Sequence, residues 1–63
     1  MTAEQIRWTK ERNVEMIYVA QNGSFTQRRV KIIGITDTKI LAYCHLRKQM
    51  RTFLLEQILA IFP

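Results

Sequence analysis

Apolar residues alternate with other residues over most of the chain after a short N-terminal segment. In the first alternating stretch, Val14, Met16 and Tyr18 occupy every second position. Successive side chains of a β-strand point to opposite faces, so this spacing predicts a strand with one core-facing side. A turn is predicted directly after it, at residues 21–24, because its Asn-Gly pair tolerates the positive φ that a tight hairpin demands.

A longer second strand is predicted over residues 26–35. Val30, Ile32 and Gly34 share one face with Arg28, while the other face also carries apolar side chains near the end of the strand. Apolar residues on both faces fit a long, bent strand that serves two sides of a small core. Gly34 is the natural place for the bend, because glycine within a strand often marks a bulge or a tight bend.

Three shorter strands complete the pattern. A third strand over residues 39–46 and a fourth over residues 50–55 are joined by a basic turn, and a fifth is predicted over residues 58–62. The predicted core-facing residues of the third and fourth strands are Ile40, Ala42, Cys44, Leu46, Phe53 and Leu55. Five short strands joined by tight turns favour a small antiparallel barrel, since closing the sheet removes its exposed edges.

A short helix is predicted before the strands, over about residues 2–10. Thr2 and Gln5 have the spacing of a capping box, in which each side chain accepts from the backbone amide of the other residue. So short a helix is unstable alone and depends on docking. Ile6 and Trp8 are therefore the predicted contacts between the helix and the body of the domain.

Length and composition limit the size, charge and setting of the protein. The fold class is mainly β, and the 63 residues have room for a single domain, 1–63, with the N-terminal helix at 1–12 and the barrel at 13–63. Ten Lys and Arg against five Asp and Glu give a formal charge of +5, which attracts nucleic acid, nucleotides, acidic protein surfaces or anionic lipid. A single cysteine and the lack of an apolar run of about 20 residues predict a cytoplasmic protein without a membrane span.

Three arginines are the leading candidates for a binding site. Arg28, Arg47 and Arg51 lie at the start or end of three consecutive predicted strands, and hairpin connections can bring such positions together. Guanidinium groups bind phosphate oxygens through paired hydrogen bonds, so converging arginines suit an anionic ligand. The alternative is that each arginine is a solvated surface charge.

Aromatic and titratable side chains add candidates for binding but none for catalysis. Tyr43 and His45 share a face with Lys39, which suits stacking on a nucleobase, although Tyr43 fits barrel packing equally well. Tyr18 is interpreted as a core residue and Cys44 as a buried, unreactive thiol. The carboxylates are scattered, and one His with one Cys is too few for a zinc site. The sequence therefore predicts no enzyme activity, no metal and no cofactor.

Several stretches form one longer pattern along the chain. They are Val14-x-Met16-x-Tyr18 followed by Gly23, Arg28-Arg29-Val30 followed by Ile33-Gly34-Ile35, Leu41-Ala42-Tyr43-Cys44-His45-Leu46-Arg47, and Arg51-Thr52-Phe53 ending at Ile58. As a whole this pattern resembles the WYL domains of bacterial transcriptional regulators. The tripeptide that names the family falls here on Thr38-Lys39-Ile40, without its Trp and Tyr, and Gln57 and Ile32 stand where the family has Arg and Pro.

The resemblance implies an Sm-like small barrel that senses a nucleic-acid or nucleotide-like anion and passes that state to a DNA-binding regulator of transcription. The resemblance favours Arg28, Arg47 and Arg51 as ligand-binding residues over solvated surface charges, and Tyr43 and His45 remain the candidates for stacking beside them. In the family a helix-turn-helix segment usually precedes such a domain, and too few residues precede the first strand here, so we expect a sensor module standing alone. The alternative is an adaptor for protein–protein interaction or homo-oligomerisation whose positive charge is incidental.

Overall fold

The computed structural model describes the whole chain, from Met1 to Pro63. A short α-helix, α1 (Ala3–Ile6), continues into a 3-10 turn at Arg7–Thr9. Five strands follow, and they are β1 (Asn13–Val19), β2 (Phe25–Ile35), β3 (Lys39–Cys44), β4 (Gln49–Leu54) and β5 (Ile58–Phe62), with a second 3-10 turn, Leu55–Gln57, between the last two. The predicted mainly β fold with one short N-terminal helix is confirmed.

All five strands belong to one antiparallel sheet in the order β4-β3-β2-β1-β5. No hydrogen-bonded ladder joins β4 to β5, so the sheet is not closed and the predicted barrel is not confirmed. Alternation along a strand specifies which of its faces is buried, but it does not specify whether the first and last strands of a sheet meet. One edge of β4 and one edge of β5 therefore remain unpaired.

The core lies on one face of the sheet. Its twelve apolar side chains are Ile6, Val14, Met16, Tyr18, Val30, Ile32, Ile40, Ala42, Cys44, Phe53, Leu55 and Ile58. The core-facing residues predicted from the alternation in the first, third and fourth strands are buried, with one exception, Leu46. Leu46 is 82% exposed, because β3 ends at Cys44 and the chain turns over residues 45–48.

The strand β2 changes its buried face near its end. Its register against β3 shifts by one residue between Ile32 and Gly34, which leaves Ile33 as an exposed extra residue. After this bulge Ile35 pairs with Ile40 and packs against the core, while Gly34 lies opposite Leu41 on the outer face. The predicted irregularity near Gly34 is confirmed, but the prediction that Gly34 shares a face with Val30 and Ile32 is wrong, since a bulge moves every later residue to the other face.

The N-terminal segment docks chiefly through Ile6, with Ala3 packed against the core and the Met1 amino group donating to the Leu55 carbonyl at 3.2 Å. The capping box is present, with Gln5 N donating to Thr2 Oγ1 at 3.2 Å and Thr2 N donating to Gln5 Oε1 at 2.9 Å. Ile6 is buried as predicted, whereas Trp8 is 46% exposed and does not enter the core. The Thr9 hydroxyl is buried and donates to the Ile6 carbonyl at 2.6 Å. No helix in the structure has both the length and the apolar character that a membrane crossing requires.

Candidate functional site

The inward face of the sheet becomes polar at one end. On β2, Arg28 precedes the buried residues Val30 and Ile32 on the same face. Val30 pairs with Cys44, the last residue of β3, so the position facing Arg28 from that side lies in the turn at residues 45–48. Arg28 therefore faces a turn instead of an apolar neighbour, and a cleft opens between them.

This cleft, which we name the turn cleft, has a volume of about 370 Å³. Its walls are the first half of β2 and the turn between β3 and β4. The residues that line it are Thr26, Gln27, Arg28, Arg29, His45, Leu46 and Arg47. The structure thus brings together three of the predicted ligand-binding residues, Arg28, Arg47 and His45.

The guanidinium of Arg28 is held in the cleft without an acidic partner. Its Nε is buried and has no hydrogen-bond acceptor. Burial lowers the pKa of Arg28, but the neighbouring Tyr18 phenol and Cys44 thiol outweigh burial and raise it, so the group stays charged. The one ion pair of the chain joins Glu4 to Arg7 at 3.3 Å, and neither residue lines the turn cleft. A buried donor without an acceptor destabilises the free protein unless a ligand supplies the acceptor.

Tyr18 links Arg28 to Arg51. Its ring is 8% exposed and packs edge-to-face on Phe53 with 5.0 Å between the ring centres, as expected of a core residue. Burial raises the pKa of its hydroxyl, but the side chains of Thr26 and Arg28 and the charges of Arg28 and Arg51 together lower it. The prediction of a purely structural Tyr18 is therefore incomplete. The sequence did contain a signal for this interaction, because Tyr18 has a hydroxyl that Phe would lack and lies on the same face as Arg28 and Arg51.

Arg51 lies on the inward face of β4, opposite Ala42 of β3. Its guanidinium carbon is 5.6 Å from the centre of the Phe53 ring, within cation–π range. It lines a second cleft of about 320 Å³, named here the Tyr18 cleft, whose residues are Tyr18, Ala20, Gln21, Arg51, Thr52, Phe53 and Gln57. Arg51 is thus in a different cleft from Arg28 and Arg47, although the charges of both Arg28 and Arg51 lower the pKa of the Tyr18 hydroxyl.

Tyr43 lies on the outer face of the sheet, between Lys31 of β2 and Met50 of β4. It lines neither basic cleft, because alternation along β3 places it opposite to the core-facing residues. Its ring contacts His45 edge-on, with 5.5 Å between the ring centres. His45 Nε2 lies 2.6 Å from Asn13 Oδ1. Of the two predicted stacking residues, only His45 borders the turn cleft.

Cys44 is fully buried behind the turn cleft. The backbone N–H of Arg47 lowers the pKa of its thiol, burial raises it, and the Arg28 side chain and the N–H of Leu46 lower it further. The net effect is a lowered pKa, but the side chain has no exposed surface for a reactant to reach.

No Asp or Glu lines either basic cleft, although Glu15 lies opposite Arg29 across β1 and β2 and accepts from Gln27 Nε2 at 2.8 Å. No cluster of three or more His, Cys, Asp or Glu side chains is arranged to hold a metal ion. A depression of about 440 Å³ between the N-terminal residues and the end of β4 is bordered by Asp37 and Glu56. Its carboxylates make it less suited to an anion than the turn cleft.

Comparison with known proteins places the sequence in a family. The sequence model of the WYL domain matches residues 7–63, which include all five strands and both basic clefts. No curated protein and no solved structure matches the chain. Because the match covers most of its length, the chain belongs to the WYL domain family, whose members are generally regulatory, ligand-sensing domains.

Proposed function

We propose that this domain is a non-enzymatic sensor that binds an anionic, nucleic-acid or nucleotide-like ligand and modulates a transcription-related partner. The observation that carries this proposal is the buried Arg28 Nε without an acceptor beside the turn cleft. An oxyanion entering the cleft would accept hydrogen bonds from Arg28 and Arg47. Regulation is the general role of the family, which supports a readout by a partner rather than by chemistry.

The charge distribution supports an extended ligand rather than a single small ion. Arg28 and Arg47 line one cleft and Arg51 lines the next, and the Tyr18 phenol is near Arg28 and Arg51. Two successive phosphates of one ligand would each find a guanidinium, and binding them would relieve the repulsion between the arginines. His45 at the rim of the turn cleft is available to stack on a base.

The effect of ligand binding would be transmitted to a partner protein through the turn at residues 45–48. This turn carries Arg47 and connects β3 to β4, an edge strand of the sheet. A ligand held between β2 and the turn favours the conformations in which the two are close, and the populations at the β4 edge shift with them.

Titration of short single-stranded DNA, short RNA and cyclic nucleotides at several salt concentrations tests this function. We expect binding that weakens as salt increases, and a loss of at least about tenfold when Arg47→Ala is combined with Arg51→Ala. The matched control combines Lys10→Ala with Arg12→Ala, which removes the same charge from exposed residues outside both clefts. Absence of binding at low salt, or an equal loss in the control, would reject the proposal.

A second candidate function is that of a protein-interaction adaptor. The observation that favours it is the set of large apolar side chains left exposed on β3, β4 and β5, which are Leu41, Met50, Leu54, Leu59 and Phe62. An adaptor should retain its partner at a salt concentration that removes a phosphate ligand, because apolar contacts are not screened.

A further inference from the structure

The strand β4 presents unused backbone groups along one edge. The N–H of Leu55 donates to the Thr38 carbonyl at 2.8 Å, at the end of the ladder between β3 and β4. In an antiparallel ladder, alternate residues direct their N–H and C=O toward the partner strand, so every second residue counting back from Leu55 bonds to β3. Met50, Thr52 and Leu54 therefore direct their backbone groups away from β3, where the sheet has no further strand.

The side chains of these same residues lie on the outer face of the sheet, beside an apolar strip. Met50 is 46% exposed, Leu54 is 41% exposed, and Leu41 on the neighbouring strand is 42% exposed. A shallow groove of about 400 Å³ runs next to them, bordered by Gly34, Leu41 and Thr52 among others. We name the surface formed by Leu41, Met50, Thr52 and Leu54 the β4 edge. It combines free backbone donors and acceptors with exposed apolar area.

The charge around the β4 edge selects among possible partners. The stretch 39–55, which includes all of β3 and β4, contains Lys39, Arg47, Lys48 and Arg51 and no acidic residue. Asp37 and Glu56 border the depression next to Leu54, so basic residues still outnumber acidic ones around the edge. A second copy of the chain carries the same net charge of +5 and is repelled, whereas an acidic protein segment is attracted. Phosphate polymers and lipid headgroups lack the regular alternation of N–H and C=O groups that a free strand edge pairs with.

We propose that the β4 edge is a docking site for an extended segment of a partner protein in which apolar and acidic residues alternate. The segment adds to the sheet as a further strand and hydrogen-bonds the backbone of Met50, Thr52 and Leu54. Its apolar side chains lie over the outer strip, and its acidic side chains lie on the other face, beside Arg51. This site gives the adaptor function a defined surface and uses neither Arg28 nor Arg47.

The test uses a blocked, fluorescently labelled peptide of about nine residues that alternates Val and Glu. We expect saturable binding by anisotropy and slower amide hydrogen exchange at Met50, Thr52 and Leu54 in the complex. Thr52→Pro removes the outward N–H without touching the ladder to β3, so it should weaken binding by at least about tenfold. Thr52→Val keeps the N–H and should stay within about twofold.

Several outcomes would overturn this assignment. They are no binding at millimolar peptide, equal binding of a peptide with Lys in place of Glu, and exchange that does not slow at these three amides. The exchange measurement uses the unaltered chain, so it decides the question even if Thr52→Pro does not fold. Light scattering that shows self-assembly, lost in Thr52→Pro, would instead assign the edge to a second copy. Peptide binding that persists in Arg28→Met separates this site from the anion site.

Discussion

Arg28 occupies a strand position where an apolar residue would stabilise the fold more. It shares the inward face of β2 with Val30 and Ile32, yet its Nε is buried without an acceptor. Desolvating such a donor costs about 1–3 kcal/mol, and part of this cost is offset by the nearby Tyr18 phenol. A residue kept at a cost to stability is typical of a binding site.

Replacing Arg28 should therefore stabilise the free protein while it removes anion binding. Arg28→Met keeps the volume and removes the unpaired donor, and we expect the free energy of unfolding to rise by about 1 kcal/mol in urea denaturation. Lys31→Met is the charge-matched control on the opposite face of the same strand and should change stability by less than about 0.5 kcal/mol. A marked loss of stability in Arg28→Met would show that the arginine is structural.

The lowered pKa of Tyr18 predicts how the free energy of unfolding depends on pH in the alkaline range. Its pKa in the folded protein is below the ordinary value of about 10, which applies to the unfolded chain. Between these two pKa values the unfolded state binds more protons, so the free energy of unfolding rises with pH. The stabilisation that the ionised Tyr18 phenol contributes is fully present above the pKa of the unfolded chain. It is lost as the pH falls through the pKa of the folded protein.

Denaturation of the parent chain and Tyr18→Phe at a series of alkaline pH values measures this contribution. The difference between the two curves should grow with pH, and it should be smaller when both carry Arg28→Met, because the charge of Arg28 is one cause of the lowered pKa. A difference that is flat across the alkaline range would mean that the phenol does not interact with the arginines.

At the scale of elements, the sequence predicted which face of most strands is buried. It said little about where strands end and how they are aligned with one another. The burial of Val14, Met16 and Tyr18 follows from a period of two, which is a local property of β1. Leu46 continues the same alternation but lies beyond the end of β3, and chain direction after Cys44 depends on the turn. The proximity of arginines to Tyr18 depends on the register of β1, β2, β3 and β4, which no single stretch encodes.

The two glycines of the chain should respond in opposite ways to the same substitution. Gly23 has a φ of +87° in the turn between β1 and β2, a conformation that alanine adopts at a cost, whereas a methyl group at Gly34 would meet only Leu41 Cβ at 3.9 Å. We expect Gly23→Ala to lower the free energy of unfolding by about 1 kcal/mol and Gly34→Ala to raise it by up to about 0.5 kcal/mol. Chemical denaturation of both variants gives the comparison, and equal losses would contradict the different backbone conformations assigned here.

At the scale of the whole molecule, an open sheet and an excess of positive charge give the domain two candidate binding surfaces. The inward-facing arginines lie at a polar end of the core, and the unpaired β4 edge lies at the end of the sheet. A closed barrel would satisfy the backbone of β4 and leave only the charged clefts for interaction. The open sheet instead leaves a strand edge for a protein segment, and the proposed segment and an extended anion would share Arg51 and meet at Thr52, which borders the Tyr18 cleft.

The proposed anion site exists only in the folded domain, so inorganic phosphate bound there should stabilise the fold by mass action. At equal ionic strength we expect a melting temperature in phosphate that exceeds that in chloride by several degrees, since about 1 kcal/mol shifts a domain of this size by roughly 4–8 °C. Phosphate also stabilises proteins in general by its exclusion from their surfaces. The variant with Arg28→Met and Arg47→Ala should keep that general effect. It should lose the additional rise in melting temperature that comes from phosphate bound at the two arginines. If phosphate raises the melting temperature of this variant as much as that of the parent chain, the two arginines do not form an anion site.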